Sequence, residues 1–333
     1  MTQRFSVVIP LYNKRPYVRR AVDSVLAQTH REFELIVVDD GSTDGGQEGL
    51  ASIDDDRFRL VRQANAGEGA ARNRGVAEAH EDWVAFLDAD DLWLPGHLAE
   101  TAEVIAAFPN AGFVATGFRE VADVGVAKAV RGARSNIRRV DYFLEASWRI
   151  GRVNASNASV RRDALLAIDG FGAYKVGADL DCWARLALRR SSALSDRVTS
   201  IYVRGTGGAM EQLSAEPADI RASAVAARLE DISPSVASLC HAIAADPTLA
   251  RRRGVHAYLN ARVFGCVFGS LRRFDVVAAA DYAKLLMPPY ALKIAAVRIL
   301  LTLPRGWLIA ALRLARQGRD AIRDFAEKRR RAA

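Results

Sequence analysis

Short apolar runs alternate with stretches of helical periodicity through the first half of the chain. Phe5–Pro10 (FSVVIP), Phe33–Val38 (FELIVV) and Trp83–Leu87 (WVAFL) are rich in β-branched and aromatic residues and carry almost no polar interruptions. Runs of that length predict strands buried on both faces. Between them Ala21, Val22, Val25 and Leu26 recur at helical spacing, Gly67, Gly69 and Gly75 open a second helix, and a third starts near Pro95. Strands alternating with helices predict an α/β protein with a doubly wound, mostly parallel sheet. Further on, 120–139 shows weak periodicity and reads as a loop, Leu194–Val203 suggests a last strand, and Arg204–Met210 (RGTGGAM) is a glycine-rich loop. From about Glu216 the pattern is helical throughout, alanine-rich and interrupted at Pro234, Pro247, Pro288 and Pro304.

Two of these strands end in acids. WVAFL runs into Asp88, Asp90 and Asp91, and FELIVV runs into Asp39 and Asp40 ahead of the turn-forming GSTDGG. Carboxylates crowded at the carboxyl edge of a parallel sheet lie where such folds bind ligands, and the crowding is costly without a cation. Hard oxygen ligands at short spacing suit Mg²⁺ or Mn²⁺ carrying a diphosphate. The plain alternative is an acidic turn capping the helix near Pro95. Arg72 and Asn73, at the start of the glycine-opened helix, are placed to meet phosphate charge. The glycines match neither a Walker loop nor the spaced dinucleotide fingerprint.

Taken in order, SVVIPLYN, ELIVVDDGSTD, NAGEGAARNRG and WVAFLDADD resemble the family 2 glycosyltransferases of GT-A fold, through about residue 110. RRDALLAIDGFGAY followed by GADLDCWARLAL continues the resemblance more loosely over Asn157–Leu188. The resemblance implies a GT-A fold, Rossmann-like, with a helical C-terminal region. It implies that Pro10, Tyr12 and Asn13 line a nucleotide pocket, that Asp40 contacts the base, and that Arg72 and Asn73 lie near the nucleotide or its phosphates. Asp88 and Asp90 would form the DxD motif, Asp90 being the more direct metal ligand, with Mn²⁺ or Mg²⁺ as cofactor.

Displacing a nucleoside diphosphate from a sugar needs its charge neutralised, and the attacking hydroxyl needs a base on the opposite face. Asp179, at the start of DLDCWARLAL, matches the family's catalytic position. Asp181 competes locally, Asp163 and Asp169 more remotely, and an ordinary helix-capping carboxylate is the plain reading of Asp179. Ala178 stands where the family usually has Glu, and no histidine lies on the 204–210 loop. Trp183 suits either an acceptor sugar or the core. The QxxRW motif of processive members is absent, which favours one sugar per encounter.

Composition then bounds the context. The 333 residues are half apolar, enough for one α/β domain and a further hundred or more residues. We divide them at 213/214: a glycosyltransferase domain over 1–213, with its nucleotide-sugar half about 1–110 and its acceptor half about 111–213, then a helical region over 214–333. Cys182, Cys240 and Cys266 are too scattered for a disulfide framework, and the five histidines form no metal motif. The N-terminus runs straight into the first strand, so we expect no signal peptide, and no apolar stretch is long enough to span a bilayer. From Lys293 onward eleven Lys and Arg face three acids, a balance equal to the whole net charge of +8. That leaves no basic excess for a nucleic-acid face near the acids. IAAVRILLTLP and GWLIAALRLARQGRDAIRDF, with Trp307 and a terminal KRRR, have the composition of helices lying on an anionic membrane surface. A helical subdomain packed on the enzyme is the alternative.

These readings predict a metal-dependent, inverting, non-processive transferase using a nucleotide-sugar donor, UDP-sugar favoured, and a glycan or lipid-linked acceptor of the surface-polysaccharide type. Its expected place is cytoplasmic, peripheral on the inner face of the membrane. A nucleotidyltransferase and a donor-binding scaffold without turnover are the competing readings.

Overall fold

Strand β1 (Phe5–Leu11) is buried at every position, because it has a strand on each side and helices on both faces. The computed structural model describes residues 2–122, 135–149, 151–207, 228–272 and 275–287. Helix α1 (Arg15–Leu26) leads to β2 (Phe33–Asp39), which pairs in parallel with β1, and β3 (Phe58–Arg62) continues the sheet beyond it. Helix α2 (Glu68–Glu78) then carries the chain back across to β4 (Trp83–Phe86), parallel to β1 on its other side. Outward order thus reverses at β1, and this switch point opens a crevice at the carboxyl ends of β1 and β4.

The chain goes on through β5 (Leu92–Trp93), α3 (His97–Ala107), β6 (Ala111–Val121), β7 (Ile137–Val140), α4 (Tyr142–Trp148), β8 (Ala158–Arg161), α5 (Arg162–Leu166), α6 (Ala178–Arg189) and β9 (Ser191–Val203). Together the strands form one nine-stranded sheet of order β3-β2-β1-β4-β8-β6-β9-β5, with β7 on β9. Strands β8, β5 and β7 run against the rest, so the sheet is mixed but mostly of one direction.

Alternation along the strands builds two cores. Val8, Ile36, Val38, Val84 and Phe86 face α2, α4, α5 and α6, while Val7, Ile9, Leu35, Val37 and Ala85 face α1 and α3. Helices α7 (Pro234–Ala245), α8 (Arg253–Arg272) and α9 (Val276–Lys284) follow, and Val236, Leu239, Val255, Tyr258 and Leu259 enter the first of those cores. Pro234 begins α7 and Pro247 begins a 3₁₀ turn, positions where the missing N–H costs nothing.

The expected loop over 120–139 is corrected in part: β6 extends to Val121 and Ile137–Val140 is a strand on β9. Its alternation was hard to see because β7 is short and only half-buried. The rest of that stretch, residues 208–227 with the 213/214 division, and the basic tail 293–333 lie outside the described residues. No helix among the described residues is long and apolar enough to cross a membrane.

How close α2 sits on β1 is set by Gly75. A Cβ there would come within 2.3 Å of Val8 Cγ1 and 2.9 Å of Cγ2, and both belong to a stiff, buried, β-branched side chain. We expect Gly75→Ala to destabilise the fold by about 1–3 kcal/mol through overpacking. Urea unfolding reads this as a lower midpoint at unchanged slope; an unchanged midpoint would show that α2 has room to move.

Candidate active site

Three strand ends and the start of α2 meet at the switch point. Pro10 is buried within β1, opposite Val38; after Leu11 the chain turns through Tyr12 and Asn13, where Asn13 takes a left-handed φ of 51°. Its side-chain oxygen accepts from the Thr43 N–H at 2.8 Å, and its own N–H donates to Ser42 Oγ, so this turn and the one after β2 brace each other. Tyr12 is left half exposed at the edge of the sheet.

Asp39 and Asp40, at the end of β2, are both buried. Asp39 accepts from the Ser42 N–H. Asp40 accepts from Gln63 Nε2 at 2.7 Å, the Ala66 N–H at 2.9 Å and the Gly67 N–H at 2.8 Å. Its two oxygens therefore shape the loop that feeds α2, a role the sequence reading did not assign.

The acids after β4 have three different environments. Asp91 is buried; it accepts from Ser156 Oγ and from the Val203 N–H, pinning the acidic loop to the end of β9, and burial raises its carboxyl well above the ordinary range. Asp88 accepts from the Arg72 guanidinium at 2.7 Å, and its own N–H donates to Ser156 Oγ. Burial pushes the Asp88 carboxyl up to about 6, Arg72 opposing and Glu68 and Asp90 adding to the shift. Asp90 Oδ2 accepts from Lys14 Nζ at 2.7 Å and from Thr206 Oγ1 at 2.7 Å.

Arg72 is buried and donates to Glu68 as well as Asp88. Burial alone would weaken its hold on the proton, but the charges of Glu68, Asp88 and Asp179 more than offset that. Asn73, its neighbour on α2, is bonded to the backbone of Phe171. Its amide donates to the Phe171 carbonyl at 2.9 Å and accepts from the Phe171 N–H at 2.8 Å, clasping the turn that leads toward α6. That clasp has no space to spare: a Cβ on Gly170 would lie 2.2 Å from Asn73 Oδ1, and one on Gly69 would lie 2.6 Å from the Gly172 carbonyl.

Asp179 lies in the first turn of α6, behind Gly177 in the left-handed region at φ 82°. Burial raises its carboxyl, while Arg72 and the Leu180 N–H pull it down. The competing acids are engaged elsewhere. Asp181 is buried and accepts from Arg185 at 2.8 Å and from Ser238 of α7 at 2.5 Å; Asp163 pairs with Arg161 on the surface; Asp169 occupies an exposed turn at φ 59°. Trp183 is wholly buried, stacked on Phe113 and edge-on to Phe171, so it belongs to the core and is closed to a sugar.

Lys14, Glu68, Gln63 and Thr206 were missed by sequence reasoning. Glu68 was legible as the (i, i+4) partner of Arg72 on one helix face. The other three act across long chain separations and have no local signature.

Asp88 supplies a pH test. Between the ordinary aspartate value of 3.8 and about 6, the folded chain keeps a proton that the unfolded chain has lost, so this group lowers stability as the pH rises through that window. Asp88→Asn is therefore expected to raise Tm at about pH 8 and to change it little near pH 4. Melts at the two pH values check this; an equal shift at both would refute it.

Residues 6–168 match the sequence model of the family described as glycosyl transferase family 2. Over 111 residues the chain is 42% identical to succinoglycan biosynthesis protein ExoW of Rhizobium meliloti, covering 32% of this chain and 35% of that protein. The chain spans between 15% and 35% of the length of the first curated relatives it matches. Among solved structures, residues 1–349 of S. aureus TarS in complex with UDP-GlcNAc match with a TM-score of 0.64 at 20% identity, over 95% of this chain and 92% of that one. A mannosyltransferase from Pyrobaculum calidifontis in complex with GDP-Man and Mn²⁺ matches with a TM-score of 0.54 at 19% identity, over 94% of this chain and 84% of that one. At such identities the structural likeness shows the fold, which is GT-A. Residues 6–168 of the chain thus carry the domain of glycosyl transferase family 2.

Proposed function

We propose that this chain moves one sugar from a nucleoside-diphosphate donor, UDP-sugar favoured, to a hydroxyl of a glycan or lipid-linked acceptor, inverting the anomeric carbon. The observation that carries the reading is the buried Arg72, which bonds Asp88 of the DxD pair while its charge reaches Asp179 on a separate helix. Donor-side and acceptor-side chemistry thus share one charge.

Exposed Tyr12 offers a flat ring for the base, with Pro10 at the end of β1 and Asn13 in the following turn flanking it. Asp40 acts by holding the 63–67 loop as the far wall of that pocket. Arg72 stands beside the diphosphate, and Asn73 keeps the 170–172 turn against α2. The residues fit a hard divalent cation: Asp88 and Asp90 are carboxylates on one edge, Asp90 already takes an ammonium, and Asp88 is held high by burial, with the charges of Glu68 and Asp90 adding to it. Mn²⁺ or Mg²⁺ held by Asp90 and Asp88 would supply Lewis-acid neutralisation of the leaving diphosphate.

Asp179 takes the proton of the acceptor hydroxyl as its oxygen bonds to the anomeric carbon and the bond from that carbon to the diphosphate oxygen breaks. A carboxyl raised by burial is a better base than an exposed one. The likeness to a succinoglycan biosynthesis protein supports a polysaccharide acceptor. For the basic tail 293–333, its composition supports attachment to the anionic inner face of the cytoplasmic membrane, where a lipid-linked acceptor resides.

Asp90→Asn is expected to abolish metal-dependent UDP binding in calorimetry, whereas Asp179→Asn keeps that binding and loses transfer. Near-normal turnover by the Asp179 variant would refute the base assignment. Removing residues 293–333 is expected to shift the protein from the membrane to the soluble fraction; unchanged fractionation would point to a tail packed on protein.

A further inference from the structure

The second acid of the DxD pair already has a cation. Lys14 Nζ lies 2.7 Å from Asp90 Oδ2 and also donates to the Thr206 carbonyl at 2.9 Å, while Thr206 Oγ1 donates to the same Asp90 oxygen at 2.7 Å. The three residues close a ring that joins the turn after β1, the acidic loop after β4 and the loop after β9. Lys14 and Asp90 are both mostly shielded, at 18% and 15% side-chain exposure, so solvent screens the pair only partly. The ring of Tyr17, in the first turn of α1, lies 5.8 Å from the ammonium and is part of its present surroundings.

Charge decides what this ring does. Asp88, Asp90 and Glu68 bring three negative charges, and Arg72 and Lys14 bring two positive ones. Arg72 cannot leave cheaply, because it is buried at 3% exposure between two acids. Lys14, on a flexible stem at the mouth, can. A divalent cation on Asp90 and the Lys14 ammonium cannot share one carboxylate oxygen without strong mutual repulsion.

We propose that Lys14 is a resident counter-ion that guards Asp90. It occupies the carboxylate in the free protein and competes with a divalent cation for it. When it gives way it releases the Thr206 loop and turns its ammonium toward the donor diphosphate. Metal alone therefore binds poorly, and metal with a nucleoside diphosphate binds well, because only the diphosphate gives Lys14 a new partner. This inference rests on the reading of Asp88 and Asp90 as a metal site and adds the residue that controls access to it.

The test measures Mn²⁺ binding by the full chain, from the electron paramagnetic resonance signal of free Mn²⁺, with and without UDP. The wild type is compared with Lys14→Met and Lys14→Arg, and melting curves confirm that each is folded. Lys14→Met should bind Mn²⁺ alone about tenfold tighter than the wild type and lose most of the gain that UDP gives, because the competing charge and the diphosphate's partner are both gone. Lys14→Arg, which keeps the charge, should stay close to the wild type. Mn²⁺ binding that is unchanged or weakened in Lys14→Met, while UDP-dependent Mn²⁺ binding by the wild type is normal, overturns the role of Lys14 and leaves the metal site standing. Absence of Mn²⁺ binding by all three, with or without UDP, overturns the metal reading itself and this inference with it.

Discussion

A single buried guanidinium holds the crevice together. Arg72 sits at 3% side-chain exposure with Glu68 and Asp88 bonded to it and with its charge felt at Asp179. Removing it would take the nearby positive charge from Asp88 and Asp179, whose carboxyls burial already raises, and the ion-pair partner from half-exposed Glu68. The backbone around Arg72 is built to keep it there. Gly75 lets α2 lie directly on β1, Gly69 lets its first turn meet the Gly172 carbonyl, and Asn73 clasps Phe171 with two hydrogen bonds. One turn and a half of helix thus sets the distance between the acidic loop and the helix that carries Asp179.

Much of this was legible from the chain. The three apolar runs had the length and composition of doubly buried strands, and β1, β2 and β4 are just that. That the acids following two of them gather at one sheet edge was legible too, because parallel strands deliver their carboxyl ends together. Less visible were β3, β6, β7 and β8. Strand β3 lies at the sheet edge and is only half-buried, and β6 carries Gly112 and Gly117 where Arg190 and the 196–197 carbonyls approach closely. Such features are set by tertiary neighbours, which period and propensity do not encode.

Side-chain roles were less legible than strand positions, for a related reason. Asn73 has the residue type and place of a phosphate ligand, yet its amide is consumed by Phe171; Asp40 looks like a free acid, yet accepts three hydrogen bonds. Trp183 sits one turn from Asp179, yet helical geometry sends it into the core beside Phe113 and Phe171. In each case the residue type named a chemistry, and the partners that use it lie from 12 positions away, as with Trp183 and Phe171, to 98, as with Asn73 and Phe171.

The same constraint accounts for the departure at Ala178. This position begins α6 and is 4% exposed, directly before Asp179, whose carboxyl burial already raises. A glutamate there would add a further desolvated negative charge to a cluster in which one arginine already serves three acids, and alanine removes that repulsion. Support for α6 comes instead from the C-terminal helices. Ser238 of α7 donates to Asp181, two residues past Asp179, and Tyr258 of α8 donates to Ser235 within the shared core. The helical region therefore holds the candidate base in register with Arg72, and the acid that most resembles a competitor, Asp181, is the anchor by which it does so.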